Sequence, residues 1–257
     1  MTEPPKITFL FACACGCQRD PMSLDANAMK KLVAEEAVNR YVKDGMKVGL
    51  GTGSTAKFMI ERIGELVRQG YDLTCTATSV QSEELAKSLG IKVVDLDEID
   101  HLDITIDGAD EVDPGMQLIK GLGGALLREK IVAAATVKEI IITDESKLVE
   151  KLGTKAPLPV EVLQFGHEHT KYALERQGCK AELRMRDGKP FITDTGNYIY
   201  DCRFESIEKP FFLESRIDII PGVVENGLFL NTAYDVLIAR PDGSVESMAE
   251  KLASKEA

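Results

Sequence analysis

No apolar run in this chain approaches the ~20 residues that a membrane-crossing helix needs, so no spanning helix is expected. Positive charge is short as well. Thirty-one Lys and Arg against 42 Asp and Glu leave a net charge of −11, which argues against a nucleic-acid partner and against an anionic membrane surface. A small anionic substrate stays open, because a helix N-terminus attracts phosphate even in an acidic protein. Histidine is scarce: only His101, His167 and His169 occur. All three fall outside the motifs described below and read as surface or packing residues, neither catalysts nor ligands. Cys75, Cys179 and Cys202 have no pairing or metal-ligand spacing and read as reduced thiols of a cytoplasmic protein. No internal repeat or low-complexity tract stands out, nor a spare helix-turn-helix with a basic face.

The other cysteines form Cys13-Ala-Cys15-Gly-Cys17 after a short apolar run. A thiol or metal site and a secretory or lipoprotein signal are two readings. The favoured one is a poorly ordered extension, residues 1–24, upstream of a true start at Met22 or Met29. The apolar run is short, Lys6 is its only basic flank, and amphipathic order begins after Ser23.

From there the periodicity predicts helices over 25–43, 54–68 and 82–89, alternating with short apolar strands at 46–50, 73–77, 92–94 and 102–106. A helix over 123–136 leads to a strand at 139–143. Strands alternating with helices imply a parallel sheet covered on both faces. The pattern changes near Gly153. Strands at 160–163, 180–184, 191–193 and 198–202, helices at 168–177 and 206–215, and a run at 223–230 describe a smaller α+β unit, with Asp187-Gly188 as a hairpin turn. Residues 235–239 return to the large sheet as its last strand, and 245–252 close the chain as a helix. The fold class is α/β, a Rossmann-like, mostly parallel sheet with a smaller α+β lid domain. The expected boundaries are 25–152 with 232–257 for the large domain and 153–231 for the lid.

Three motifs carry chemistry. Gly49-Leu-Gly51-Thr52-Gly53-Ser54-Thr55-Ala56 follows a strand and opens a helix. Free backbone N–H groups and the helix dipole suit an anion there, and Thr52, Gly53, Ser54 and Thr55 add close approach and hydroxyls. It lacks the third glycine of a dinucleotide fingerprint and the lysine of a P-loop. A tight strand-to-helix turn with a Ser or Thr cap is the plainer reading. Next, Asp107-Gly108-Ala109-Asp110-Glu111-Val-Asp113 begins at the C-terminal end of a parallel strand, where α/β sheets keep their sites. Four carboxylates in one crevice demand partners. The spacing fails the calcium-loop pattern, while Asp107 and Asp110 suit sugar hydroxyls. A solvated acidic turn and a metal site are the alternatives.

Thirteen residues after Asp107 comes Lys120-Gly121-Leu122-Gly123-Gly124-Ala-Leu-Leu-Arg128-Glu129-Lys130. Its loop can offer N–H groups to a developing oxyanion. Helical side chains lean toward the N-terminus, so Glu129 reaches back over Ala125. An ordinary surface glutamate paired with a nearby base is the plainer alternative. Lys147, after Thr143-Asp144-Glu145-Ser146, can reach an anion over the same sheet edge, and Lys31 is a weaker anion contact still.

The three motifs in this order and separation closely resemble the type A ribose-5-phosphate isomerase family. Pro157-Leu-Pro-Val-Glu161, Gly196-Asn-Tyr-Ile-Tyr-Asp201 and Gly222-Val-Val-Glu-Asn-Gly-Leu-Phe229 look familiar too. The likeness runs over nearly the whole chain from Met29, and the first 21 or so residues have no family counterpart. The resemblance implies an aldose–ketose isomerase interconverting D-ribose 5-phosphate and D-ribulose 5-phosphate through an enediolate, in the non-oxidative pentose phosphate pathway. It also implies no metal and no organic cofactor, a ferredoxin-like lid, and a homodimer or homotetramer. Glu129 becomes the catalytic base, assisted by Asp107 and Lys120. Residues 52–55, 107–110, 120–123 and Lys147 become the substrate contacts. A sugar-phosphate deaminase, a coenzyme A transferase and a sugar-phosphate-sensing module are the rival readings. They lack, in turn, a catalytic histidine, a glutamate nucleophile in the right loop and a DNA-binding helix pair.

Overall fold

Side-chain caps at Asp25 and Ser79 and buried apolar stripes account for much of the first half of the chain in the computed structural model, which describes residues 24–256. Helix α1 (Ala26–Tyr41) starts at Asp25, whose side chain accepts the Ala28 N–H at 2.8 Å, and buries Val33, Ala34, Ala37 and Val38. Strand β1 (Lys47–Leu50) runs into α2 (Ser54–Arg68), whose apolar stripe includes Ala56, Met59, Ile60 and Ile63. Then come β2 (Thr74–Ala77), α3 (Val80–Ser88) capped by Ser79, β3 (Lys92–Val93) and β4 (Ile104–Gly108). Short strands β5 (Glu111–Val112) and β6 (Leu118–Ile119) precede α4 (Leu126–Ala134) and the wholly buried β7 (Glu139–Asp144).

The smaller unit comprises β8 (Leu158–Val162), α5 (His167–Glu175), β9 (Lys180–Leu183), the hairpin β10 (Met185–Arg186) and β11 (Lys189–Pro190), β12 (Tyr198–Arg203), α6 (Pro210–Asp218) and β13 (Val223–Asn226). The chain ends with β14 (Leu228–Phe229), β15 (Ala233–Ala239), β16 (Val245–Ser247) and α7 (Met248–Glu256).

The large sheet has the order β16-β15-β7-β4-β1-β2-β3. Every pairing in it is parallel except β15 with β16. From β1 the chain proceeds outward through β2 and β3, then returns to the other side as β4. The strand order therefore reverses between β1 and β4, where an open α/β sheet leaves a crevice at its strand C-termini. The smaller sheet, β13-β8-β12-β9, is antiparallel and encloses its own core of Leu158, Val160, Leu174, Tyr200 and Ile217 among others. A three-stranded sheet, β14-β6-β5, joins the two units. Among the described residues no helix is long and apolar enough to cross a membrane.

Several expectations change. Residues 245–252 are not one helix: 245–247 form the antiparallel edge strand, so β15 is not the last strand of the large sheet. The run at 223–230 breaks at Gly227, whose backbone lies against the Lys120 carbonyl with no room for a Cβ. Residues 191–193 are not a strand. Phe191 turns inward against Leu126 and Ile199. Helix α4 starts at Leu126 rather than Gly123, because Gly124 N–H closes a turn on the Gly121 carbonyl at 3.0 Å. The short β5 and β6 carry no periodicity of their own and were not foreseen. Leu24, assigned to the extension, donates its N–H to the Pro241 carbonyl at 2.8 Å. Residues 1–23, with Cys13, Cys15 and Cys17 and the expected poorly ordered extension, lie outside the described residues.

Candidate active site

The crevice between β1 and β4 holds a cleft of about 130 Å3. Its floor follows from one close approach. Gly51 succeeds β1, and a Cβ there would stand 2.2 Å from Asp107 Oδ1 and 2.6 Å from Asp107 Cα. Only glycine lets the two strand ends meet. Asp107 Oδ1 then accepts N–H groups from Thr52 at 2.9 Å and Gly108 at 2.7 Å. Its Oδ2 lies 2.9 Å from Lys120 Nζ.

Lys120 is 2% exposed, an environment that an ammonium tolerates only with partners. It donates to the Gly108 carbonyl at 2.6 Å, pairs with Asp107, and stands 3.3 Å from Glu129 Oε2. The Phe229 ring lies 5.2 Å from the same nitrogen. Burial alone would lower the Lys120 pKa, but Asp107, Glu129 and Glu139 more than offset it and raise it above the usual lysine range. Lys120 stays charged.

Glu129 comes from the first turn of α4, leaning back toward the loop as helical geometry requires. It is buried, yet it lines the cleft, and its Oε2 has no hydrogen-bond partner. Burial pushes its pKa up to about 8, against the pull of Lys120 and with Asp107 and Asp110 adding to the rise. Asp110 is also raised, by burial first, although it accepts the Leu122 N–H at 2.9 Å and faces Lys120 and Lys147.

At the other end, α2 begins at Gly53 with no side-chain cap. Its first N–H groups are free to meet an anion. Gly53, Ser54 and Thr55 line the cleft there, with Lys147 on the facing turn. Thr52 lines it too, but its hydroxyl lies 2.7 Å from Thr78 Oγ1 and donates to Ser79 Oγ at 2.8 Å. The cation on α1 is Lys30, which donates to Ser54 Oγ at 3.0 Å, and not Lys31, which points away and pairs with Glu35 at 3.7 Å. Helical phase could have found it: Lys30 precedes the buried Val33 and Ala34 by three and four positions.

Gly108, Ala109, Asp110, Lys120, Gly121 and Gly123 also line the cleft. Asp107 sits just behind the surface. Leu122 does not line it; its side chain is exposed and its N–H serves Asp110. Nor do the four carboxylates of the 107–113 stretch share the crevice. Glu111 is buried elsewhere, taking N–H groups of Gly153, Lys155 and Ala156 at 2.5–2.6 Å, and Asp113 closes a turn through Gly115 and Gln117. Backbone donors in those turns claim both. None of the three histidines lines the cleft. Among the described residues, no three His, Cys, Asp or Glu side chains are grouped to hold a metal ion. Asp144, at the end of β7, lines the cleft and was not foreseen.

Fold and site together define an α/β protein with an uncapped helix terminus beside a buried cluster of one lysine and two carboxylates at the sheet's switch point. Residues 74–243 match the family described as ribose 5-phosphate isomerase A (phosphoriboisomerase A). The chain is 51% identical over 224 residues to ribose-5-phosphate isomerase A of Dinoroseobacter shibae, covering 84% of this chain and 86% of that protein. It is 43% identical to the solved ribose 5-phosphate isomerase from Plasmodium falciparum, with a TM-score of 0.84, covering 86% of this chain and 97% of the other. A D-ribose-5-phosphate isomerase solved in complex with phospho-erythronic acid superposes with a TM-score of 0.84 at 39% identity, covering 87% and 99%. The chain belongs to the ribose 5-phosphate isomerase A family.

Proposed function

We propose that this protein interconverts D-ribose 5-phosphate and D-ribulose 5-phosphate, with Glu129 as the base. The observation that carries the assignment of the base is the Glu129 carboxylate: buried, lining the cleft, one oxygen without a hydrogen-bond partner, beside a buried ammonium. The open-chain aldose gives its C2 proton to Glu129, the C–H electron pair forms the C1–C2 double bond, and charge moves onto O1. Lys120 and the N–H groups of the glycine loop stabilise that charge. A proton passes from O2 to O1, Glu129 returns its proton to C1, and the ketose results. The phosphate sits at the start of α2, with Ser54, Thr55, Lys30 and Lys147 around it. Asp110 orients hydroxyls. Asp107, behind the cleft surface, acts on ring opening through Lys120.

We read residues 25–152 with 232–257 as the catalytic domain and 153–231 as its lid. The same family likeness supports a homodimer or homotetramer working in the cytoplasm, which light scattering on the purified protein and fractionation of its cells would check. A deaminase relying on histidine is disfavoured, since no histidine lines the cleft. The decisive assay mixes purified protein with ribose 5-phosphate and a chelator and follows ketose formation. Sustained turnover is expected; absence of ketose would refute the isomerase reading, and loss only on chelation would refute a mechanism without metal.

A further inference from the structure

The oxyanion donors invoked above belong to peptide groups of residues 121–124, and something must hold those peptides in place. Glycines at 121, 123 and 124 make this loop costly to order, since glycine loses the most backbone freedom on folding. The Gly124 N–H closes a turn on the Gly121 carbonyl and Asp110 takes the Leu122 N–H, and a third hold comes from the smaller unit. Arg184, between β9 and β10, donates through Nη1 to the carbonyls of Gly121 at 3.0 Å and Leu122 at 3.2 Å. Its other edge forms a two-pronged pair with Asp201 on β12, Nε to Oδ2 at 2.9 Å and Nη2 to Oδ1 at 2.5 Å.

Arg184 is itself anchored: its N–H goes to the Ile199 carbonyl and its own carbonyl accepts the Phe191 N–H, both at 2.8 Å. The Phe191 ring then packs on Gly124, where a Cβ would stand 2.5 Å from Cζ.

Peptide planarity turns this contact into a statement about the cleft. In a trans peptide the carbonyl of one residue and the N–H of the next point in opposite directions, and the described chain has no cis bond. Pinning the Gly121 carbonyl to Arg184 aims the Leu122 N–H the other way, where it meets Asp110 Oδ2 at 2.9 Å. Pinning the Leu122 carbonyl likewise turns the N–H of Gly123, a cleft residue, away from the arginine. That N–H meets no acceptor among the described residues.

We propose that Arg184, braced by Asp201, is a positioning residue that reaches across from the smaller unit and fixes the peptides of residues 121–123 so that the Gly123 N–H is presented to the developing oxyanion. The proposal rests on the isomerase reading for its catalytic consequence, though not for its structural one. It also makes the smaller unit a part of the catalytic apparatus rather than a cover. Lysine cannot replace this arginine, because a single ammonium cannot hold two carbonyls and a carboxylate in one plane.

The test uses the full-length protein with R184M and R184K. Each is measured for kcat and KM on ribose 5-phosphate, for inhibition by phospho-erythronic acid and by inorganic phosphate, and for amide hydrogen exchange in peptides covering residues 121–124. A clamp lowers kcat about 10- to 100-fold with KM within about threefold. It weakens phospho-erythronic acid in step with kcat/KM, leaves inorganic phosphate within about twofold, and speeds exchange in the loop. A merely structural arginine lowers the melting temperature but leaves kcat per folded molecule and both inhibition constants unchanged, and that result overturns the proposal. If R184M does not fold, R184K decides: kcat within about threefold of wild type, or unaltered loop exchange, refutes the clamp. A wild-type protein that makes no ketose would refute the isomerase reading instead, and the exchange data would still judge the clamp.

Discussion

Lys120 and Glu129, both buried, stand 3.3 Å apart as an ion pair in which Glu129 Oε2 accepts no hydrogen bond. The ammonium is committed to the Gly108 carbonyl and to Asp107. Glu129 is therefore near enough to a positive charge to exist as a carboxylate, and free enough to take a proton. A general base needs both properties.

Replacing Glu129 with Gln keeps the shape and removes the basicity. The expected outcome in E129Q is a fall in kcat of about 10²–10⁴-fold or more, the range for loss of a positioned base, with substrate affinity largely intact. Steady-state kinetics with ribose 5-phosphate check it. Equal losses in rate and affinity would assign Glu129 to binding instead.

The raised pKa of Glu129, about 8 and caused first by burial, sets the pH dependence. The base must be ionised, so kcat/KM should rise roughly tenfold per unit as pH climbs toward 8 and level off above it, reporting the free enzyme. For stability the sign is opposite. A pKa raised from 4.5 means that the folded state prefers the proton, so this contribution is fully present below the unfolded pKa and is lost as pH rises through about 8. Denaturant unfolding of wild type against E129Q between pH 4 and 9 should show the wild type losing ground as pH increases. A flat difference would contradict the assigned environment.

Lys120→Met would leave Asp107 and Glu129 buried without their shared cation. Breaking a buried pair from one side costs about 3–5 kcal/mol, so the variant should melt well below wild type and be inactive. Lowering the pH protonates the orphaned carboxylates, so the gap in unfolding free energy should narrow in acid. A gap that widens in acid would refute the pairing.

Gly51→Ala places a methyl group 2.2 Å from Asp107 Oδ1. Asp107 must move, giving up the Thr52 and Gly108 N–H groups and its hold on Lys120. Turnover is expected to drop about 100-fold, in keeping with the cost of a displacement near 1 Å. Gly45→Ala is the control: its position has open space around it, so its left-handed backbone should cost stability without reaching the cleft. Equal kcat in the two variants would argue against the close approach.

Much of the molecule was legible before its coordinates. Short buried runs alternating with amphipathic helices specify a parallel sheet, because only helical crossovers can return the chain to a parallel neighbour. That the glycine-rich turn before α2 and the Lys120 and Glu129 motif could share one cleft was legible because each motif is local in sequence. Lys30 could have been read from helical phase but was passed over for its neighbour. Asp144 and Arg184 carried no such signal.

The chain by itself determined which groups could do chemistry: glycines in a strand-to-helix turn, aspartates at a strand end, and a lysine and a glutamate nine positions apart in one motif. Tertiary structure alone decided which of them meet. Glu111 left the crevice because three backbone N–H groups near Gly153 claimed it, and Arg184 reached the loop beside the cleft across 62 residues of sequence from Leu122. Periodicity and propensity are short-ranged, whereas hydrogen-bond satisfaction in a buried site is settled by whatever donors the packed fold brings alongside.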